Sequence, residues 1–315
     1  MRYVMYSRDG EAAPPRPGVL FDETIVDLPA LLARLGYTGP GVATLRGFVE
    51  AGDDVWRLVR GAPPAHGDLD VPHALPLADA RLHAPLADTH KLVLLAGNYR
   101  EHIREVGFRV PPSAETVTPQ FFMKPPSTTI IGPGDPIRLS PDSVWVDWEV
   151  ELAVIVGRGG RRIPENQAMA HVFGYTILND ISERAFNSTM VDRFEREKDP
   201  FMDWLHGKWF DGFAPMGPWV VTGDAIPDPH NLRLTLHHNG VLQQDGHTGA
   251  MLHTIPYLIH KLSHIMTLEP GDVLATGTPS GVGHSKGVRV AAGDVLTCAV
   301  EGIGTLSNPV VAGVE

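Results

Sequence analysis

Val144-Trp-Val-Asp-Trp-Glu-Val-Glu-Leu-Ala-Val-Ile-Val156 decides how this chain is read. Side chains of a strand alternate between its faces, so residues two apart share a side. On one side lie Val144, Val146, Trp148, Val150, Leu152, Val154 and Val156, all apolar. The other side carries Trp145, Asp147, Glu149 and Glu151 before turning apolar at Ala153 and Ile155. Carboxylates on a strand that is otherwise buried are costly unless a positive charge stands beside them. The nearest basic residues in sequence, Arg138 and Arg158, lie beyond both ends of the stretch. Two readings follow: a hard divalent cation held by oxygen, or one acid paired with a distant Arg or Lys while the others are solvated.

Outward from this stretch, turn-rich strand patterns dominate: 91–95, 120–123, 174–178, 219–222, 232–237, 273–276 and 295–300. Two related phrases, Pro270-Gly-Asp-Val-Leu and Ala292-Gly-Asp-Val-Leu, each read as a turn opening a strand. Regular strand–helix alternation is missing, which excludes a doubly wound fold and favours a β-rich barrel or roll. Residues 1–75 read as a small accessory unit, with strands near Tyr3 and Val19 and a helix from Leu28. Residues 76–89 read as a linker and 90–315 as the main unit. The clearest helix runs from Thr254 to about Met266, with apolar residues at helical spacing and Pro256 in the first turn.

The 315 residues carry a net charge of −11, which argues against nucleic acid or an anionic membrane as partner. No apolar run approaches membrane-spanning length and the first ten residues lack a signal peptide's apolar stretch, so a cytoplasmic protein is expected. A single cysteine, Cys298, excludes an internal disulfide framework.

Asp180 closes the strand pattern 174–180, where it either joins the two glutamates as a ligand or caps the residues that follow. Oxygen donors without Cys or His nearby favour Mg²⁺ or Mn²⁺, with Ca²⁺ a third choice, over zinc. His102 and Glu105, three apart on a short predicted helix ended by Gly107, form either a general base with its orienting carboxylate or a plain surface pair. His260 and His264 have the spacing of a zinc pair, but the glutamate of a zinc-protease motif is absent and both are read as structural. Gly277-Thr-Pro-Ser-Gly-Val-Gly283 lacks the Lys-Ser/Thr ending of a phosphate loop and is read as a tight loop lining a pocket.

Together these segments resemble the fumarylacetoacetate hydrolase family over roughly residues 90–312. The resemblance rests on ordered phrases: Gly97-Asn-Tyr-x-x-His-x-x-Glu105, Phe122-Met-Lys-Pro125, Trp148-Glu-Val-Glu-Leu-Ala-Val154, Asn179-Asp-Ile-Ser-x-Arg184, Gly207-Lys-x-Phe-Asp211 and Gly277-Thr-Pro-x-Gly281. It implies an α+β, β-rich architecture: a mixed β-roll catalytic domain after a small N-terminal α/β domain, usually as a homodimer. It matches Glu149, Glu151 and Asp180 to divalent-metal ligands, His102 and Glu105 to a water-activating dyad on a lid, and Lys208 to a lysine near the reacting oxygens. Arg184 matches an active-site arginine, and Tyr99, Asn187, Gly277 and Thr278 fall at substrate-pocket positions. Many relatives have Gln where this chain has Asn187, and the segment 188–206 is longer than in compact members and is placed to cover the pocket.

The expected activity is metal-dependent hydrolysis of a carbon–carbon bond in an acylpyruvate-like β-diketo acid, of the kind met in aromatic or sugar acid breakdown. A decarboxylase of oxaloacetate-like acids or an isomerase of an unsaturated 2-oxo diacid is the alternative on the same site. A catalytically silent binding protein is the alternative of another class, opposed by the joint presence of the metal acids, the dyad and Lys208.

Overall fold

In a computed structural model, residues 1–10, 13–62 and 74–313 are described. Most of the strands belong to two sheets, and the decisive stretch lies at the centre of the larger one. It is broken in two. Val146–Asp147 pairs with Ser182–Glu183 as a short ribbon, and Val150–Val156 forms the long strand. Trp148 and Glu149 fall between them, so the uninterrupted strand expected over 144–156 is corrected to two strands with a bend. The cause is polar: the Asp147 carboxylate accepts the Trp148 amide at 2.8 Å, which turns the chain away from ladder pairing.

Alternation survives the break. Val146, Trp148, Val150, Leu152, Val154 and Val156 all belong to one apolar cluster, together with Leu234, Leu236, Leu296 and Leu306 of the smaller sheet. Ile255, Leu258, Ile259 and Leu262 of the helix Ile255–Ile265 pack into the same cluster. Ala153 and Ile155 face the other way, among residues of the first sixty such as Leu28, Phe48 and Trp56. The strand is therefore buried on both faces, as its near-continuous apolar run requires.

The larger sheet runs Leu75–Pro76, Thr24–Asp27, Arg16–Phe21, Arg2–Arg8, Ala214–Thr222, Val172–Asn179, Val150–Val156, Val273–Ala275, Leu92–Ala96 and Gln120–Lys124. Val150–Val156 is antiparallel to both neighbours, with Val150 opposite Asn179 and Ala153 opposite Ala275. The smaller sheet runs Val241–His247, Arg233–His238, Val295–Val300, Gly304–Ala312 and Ile137–Leu139. This is the mixed, strand-rich α+β fold expected from the sequence.

The expected accessory unit, 1–75, meets the rest of the chain in the larger sheet, where Arg2 stands opposite Val221. Within the expected linker, 76–89, Ala80–His83 pairs antiparallel with Arg2–Arg8, so this segment contributes a strand as well as a connection. In the 1–75 unit the helix Leu28–Arg34 starts where Asp27 accepts the Ala30 amide at 2.9 Å. His260 and His264 bond to the backbone oxygens of Ile163 and His260, as structural histidines do.

Candidate active site

Two strand ends bring the three acids together. Glu149 precedes Val150–Val156, Glu151 is its second residue, and Asp180 follows Val172–Asn179. The Asp180 amide donates to the Glu149 carbonyl at 2.8 Å, and the Glu149 amide donates to the Asn179 side chain at 3.0 Å, locking the two ends in register. One carboxylate oxygen from each of Glu149, Glu151 and Asp180 lies within 4.8 Å of the others, and all three residues are buried.

The counter-charges absent from the local sequence come from far along the chain. Lys208 Nζ donates to Glu149 at 2.8 Å and to Asp180 at 2.6 Å. Arg184 pairs with Asp147 at 3.0 Å and with Glu149. Lys124 Nζ donates to the Ile181 carbonyl at 2.8 Å and forms an ion pair with Asp180 Oδ1 at 2.5 Å. Burial pushes the Lys124 ammonium down to about 8, partly offset by Asp180.

The triad itself is unequally compensated. Burial would raise the Glu149 carboxyl, yet Lys208 and Arg184 hold it well below the usual carboxylate range. Glu151 accepts the Gly277 amide at 2.8 Å; burial, with the charges of Asp180 and Glu149, pushes its carboxyl well above that range. A like-charged, all-oxygen cluster that its own cations leave partly unneutralised fits a hard divalent ion such as Mg²⁺ or Mn²⁺.

A cavity of about 880 Å³ opens over this floor, lined by Glu149, Arg184, Lys208, His102 and Thr278 among others. His102 sits on the six-residue helix Arg100–Glu105, with Nδ1 at 3.3 Å from Glu105. An Nδ1–H donated to Glu105 leaves Nε2 as the acceptor. Glu105 also accepts the Gly281 amide at 2.8 Å and the Ser285 hydroxyl at 2.6 Å. Burial would raise its carboxyl, but His102, Ser285 and Gly281 together hold it below the ordinary value.

The glycine loop ties these parts together. Gly277 takes φ of +88°, a conformation that costs a side chain dearly, and so aims its amide at Glu151. The Gly283 amide donates to Asp147 at 2.6 Å, where a Cβ on Gly283 would come within 2.8 Å of that carboxylate. Asp147, left without a ligand role by the sequence, is thus the anchor between loop, bend and Arg184.

Of the residues expected at the substrate, Arg184 and Thr278 line the cavity, and Tyr99, Asn187 and Gly277 do not. Tyr99 is buried with its hydroxyl lacking a partner among the described residues, and burial, with the Glu151 charge, raises its phenol. Asn187 donates instead to Asp203 at 2.9 Å. The segment 188–206, expected to cover the pocket, ends in the helix Asp199–His206, whose Pro200, Phe201 and Trp204 line the cavity. Sequence reasoning passed over Phe201 and Trp204, although their three-residue spacing marks a helix face. It also passed over Ser285, for which nothing local gives a signal.

The family model described as fumarylacetoacetate (FAA) hydrolase C-terminal matches residues 91–311. The chain belongs to the fumarylacetoacetate hydrolase family. Among relatives of this fumarylacetoacetate hydrolase family member, the Xenopus laevis "Oxaloacetate tautomerase fahd2, mitochondrial" is 36% identical over 315 residues, covering 99% of this chain and 90% of the relative. A 5-carboxymethyl-2-hydroxymuconate delta-isomerase from Mycobacterium smegmatis superposes with a TM-score of 0.71 at 31% identity, over 100% of both chains. Maleylpyruvate hydrolase from Sphingobium sp. SYK-6, in complex with manganese(II) and pyruvate, gives 0.74 at 28% identity, again over 100% of both chains. The family thus includes a tautomerase, an isomerase and a hydrolase, and one relative of this fold binds a divalent metal with a 2-oxo acid.

Proposed function

We propose that this protein is a metal-dependent hydrolase that cleaves the carbon–carbon bond of an acylpyruvate, a β-diketo acid. The reading is carried by one juxtaposition: Glu149, Lys208 and His102 line one cavity, with Glu151 and Asp180 clustered behind Glu149 and Glu105 bonded to His102. Glu149, Glu151 and Asp180 would hold the cation, Mg²⁺ or Mn²⁺. When bound, it supplies Lewis-acid polarisation of the substrate's carboxylate and 2-oxo oxygens.

The chain's own groups do the rest. His102 Nε2 takes a proton from water, and Glu105 steadies the imidazolium that results. Hydroxide adds to the distal carbonyl, and the adjacent C–C bond breaks with its electron pair passing to the pyruvate fragment as an enolate. Lys208 stabilises that negative charge, and protonation at carbon yields pyruvate beside a carboxylic acid. Arg184 holds a carboxylate or polarises a carbonyl from the same wall.

A second reading, tautomerisation of oxaloacetate, is favoured by the end-to-end likeness to the Xenopus laevis enzyme. It needs only His102 to move a proton between C3 and the enol oxygen. Pyruvate release from acetylpyruvate, against ultraviolet keto–enol relaxation and CO₂ release with oxaloacetate, separates the reactions. Each assay is run with metal and with chelator. Pyruvate release that requires metal and falls with His102→Ala supports hydrolysis; its absence beside fast enol relaxation replaces it with the tautomerase.

A further inference from the structure

We infer that the substrate's tail is an uncharged hydrocarbon, a medium-length alkyl or aryl group, rather than a second carboxylate. This deepens the reading above and rests on the 2-oxo acid head being held at the triad.

The first observation is an aromatic wall. Phe122 and Trp204 flank Lys208, their ring centres 5.3 and 5.7 Å from its Nζ. Trp204 meets Phe122 edge-on at 5.1 Å and stacks on Phe201 at 5.7 Å. Phe201 is 59% exposed, so the wall leads from a buried ammonium to the surface. Phe108, 73% exposed, lines the same cavity from beyond the dyad helix. Large aromatics left bare at a cavity mouth gain by being covered with apolar surface.

The second observation is a charge count. The lining residues with permanent charge are Glu149, Arg184 and Lys208. Arg184 is bound to Asp147 and Glu149, and Lys208 to Glu149 and Asp180. Both therefore serve the head. His102 belongs to the dyad, and His284, the remaining titratable lining group, packs edge-on against Trp145 while its amide donates to Asp147 at 3.2 Å. A carboxylate on the tail would be desolvated along the Phe122–Trp204–Phe201 wall with no spare counter-ion among the described lining residues. The cavity's 880 Å³ is also several times what a four-carbon diacid occupies.

The test reads binding, apart from turnover. Calorimetry on the Mg²⁺-loaded full chain compares 2-oxooctanoate with 2-oxooctanedioate, which share head and length and differ at the tail's end. The monoacid is expected to bind about tenfold more tightly. Equal binding, or tighter binding of the diacid, overturns the proposal. Phe201 is largely exposed, so its replacement spares the core. Phe201→Ala should lower the 2-oxooctanoate-to-pyruvate affinity ratio several-fold, by about the effect of a lost pocket contact, and Phe201→Arg should shift the preference toward the diacid; unchanged ratios in both also overturn it. Acetylpyruvate cleavage is read separately. No cleavage with the binding order intact sinks the hydrolase and leaves the tail assignment; cleavage with the order reversed does the opposite.

Discussion

The floor of the cavity and its rim are built differently. Floor residues Glu149, Glu151 and Asp180 are at most 5% exposed and stand on or beside strands paired along both edges, and Lys208, equally buried, reaches them from just beyond the helix Asp199–His206. The rim consists of two short helices, Arg100–Glu105 and Asp199–His206, tied down through polar side chains such as Glu105, Asn187 and Asp203. Packed strands permit little displacement, whereas hydrogen-bonded rim helices open at modest cost. The lesson is a division of labour, in which the clustered acids are held on packed strands and substrate shape is judged by helices that can open.

That contrast predicts the largest loss at the floor. Glu151→Gln or Asp180→Asn should abolish divalent-metal uptake by calorimetry and activity with it, and chelation of the wild-type chain should likewise stop turnover and lower Tm. Next comes the rim's base. His102→Ala should keep metal bound yet reduce kcat by roughly 10²–10⁴-fold; a variant with full activity removes the water-activating role. Lys208→Met should destabilise the metal-free chain by about 3–5 kcal/mol, because buried carboxylates lose their partner. Added Mg²⁺ should restore much of that, as chemical denaturation will show.

Smaller effects sharpen the contrast. Ser285→Ala removes one tie on Glu105 and should cost about 0.5–1.5 kcal/mol, read as faster hydrogen exchange confined to Arg100–Glu105. Glu105 has its carboxyl depressed in the folded chain, so its stabilising contribution is complete above the ordinary carboxylate value and fades as pH falls through the folded one. Acid should therefore loosen the dyad helix before it disturbs the sheet. Uniform exchange of helix and sheet amides in acid would erase the distinction.

The floor was legible in the sequence to the extent that it is local. Alternation from Val146 to Val156 identified the core face, and the acids on the other face marked the chemistry. What alternation missed was the bend at Trp148–Glu149, because it is made by Asp147 folding back on the next amide and by Gly283 arriving from 136 residues away. Local pattern was silent on the cations for the same reason, and only family position named Lys208: it reaches Glu149 across 59 residues, and Lys124 reaches Ile181 across 57. Tyr99, Asn187 and Gly277 came from family position, and in this chain their contacts are with the scaffold around the cavity. The rim was readable least, since the residues that shape it need only fit one another.

The order in which the polypeptide is made gives the sheet a further meaning. Glu151 accepts the amide of Gly277, and its strand is closed on one edge by Val273–Ala275. Those partners are translated more than a hundred residues later. A growing chain thus carries Glu151 uncompleted until most of it has been made, and the full triad should assemble late during biosynthesis.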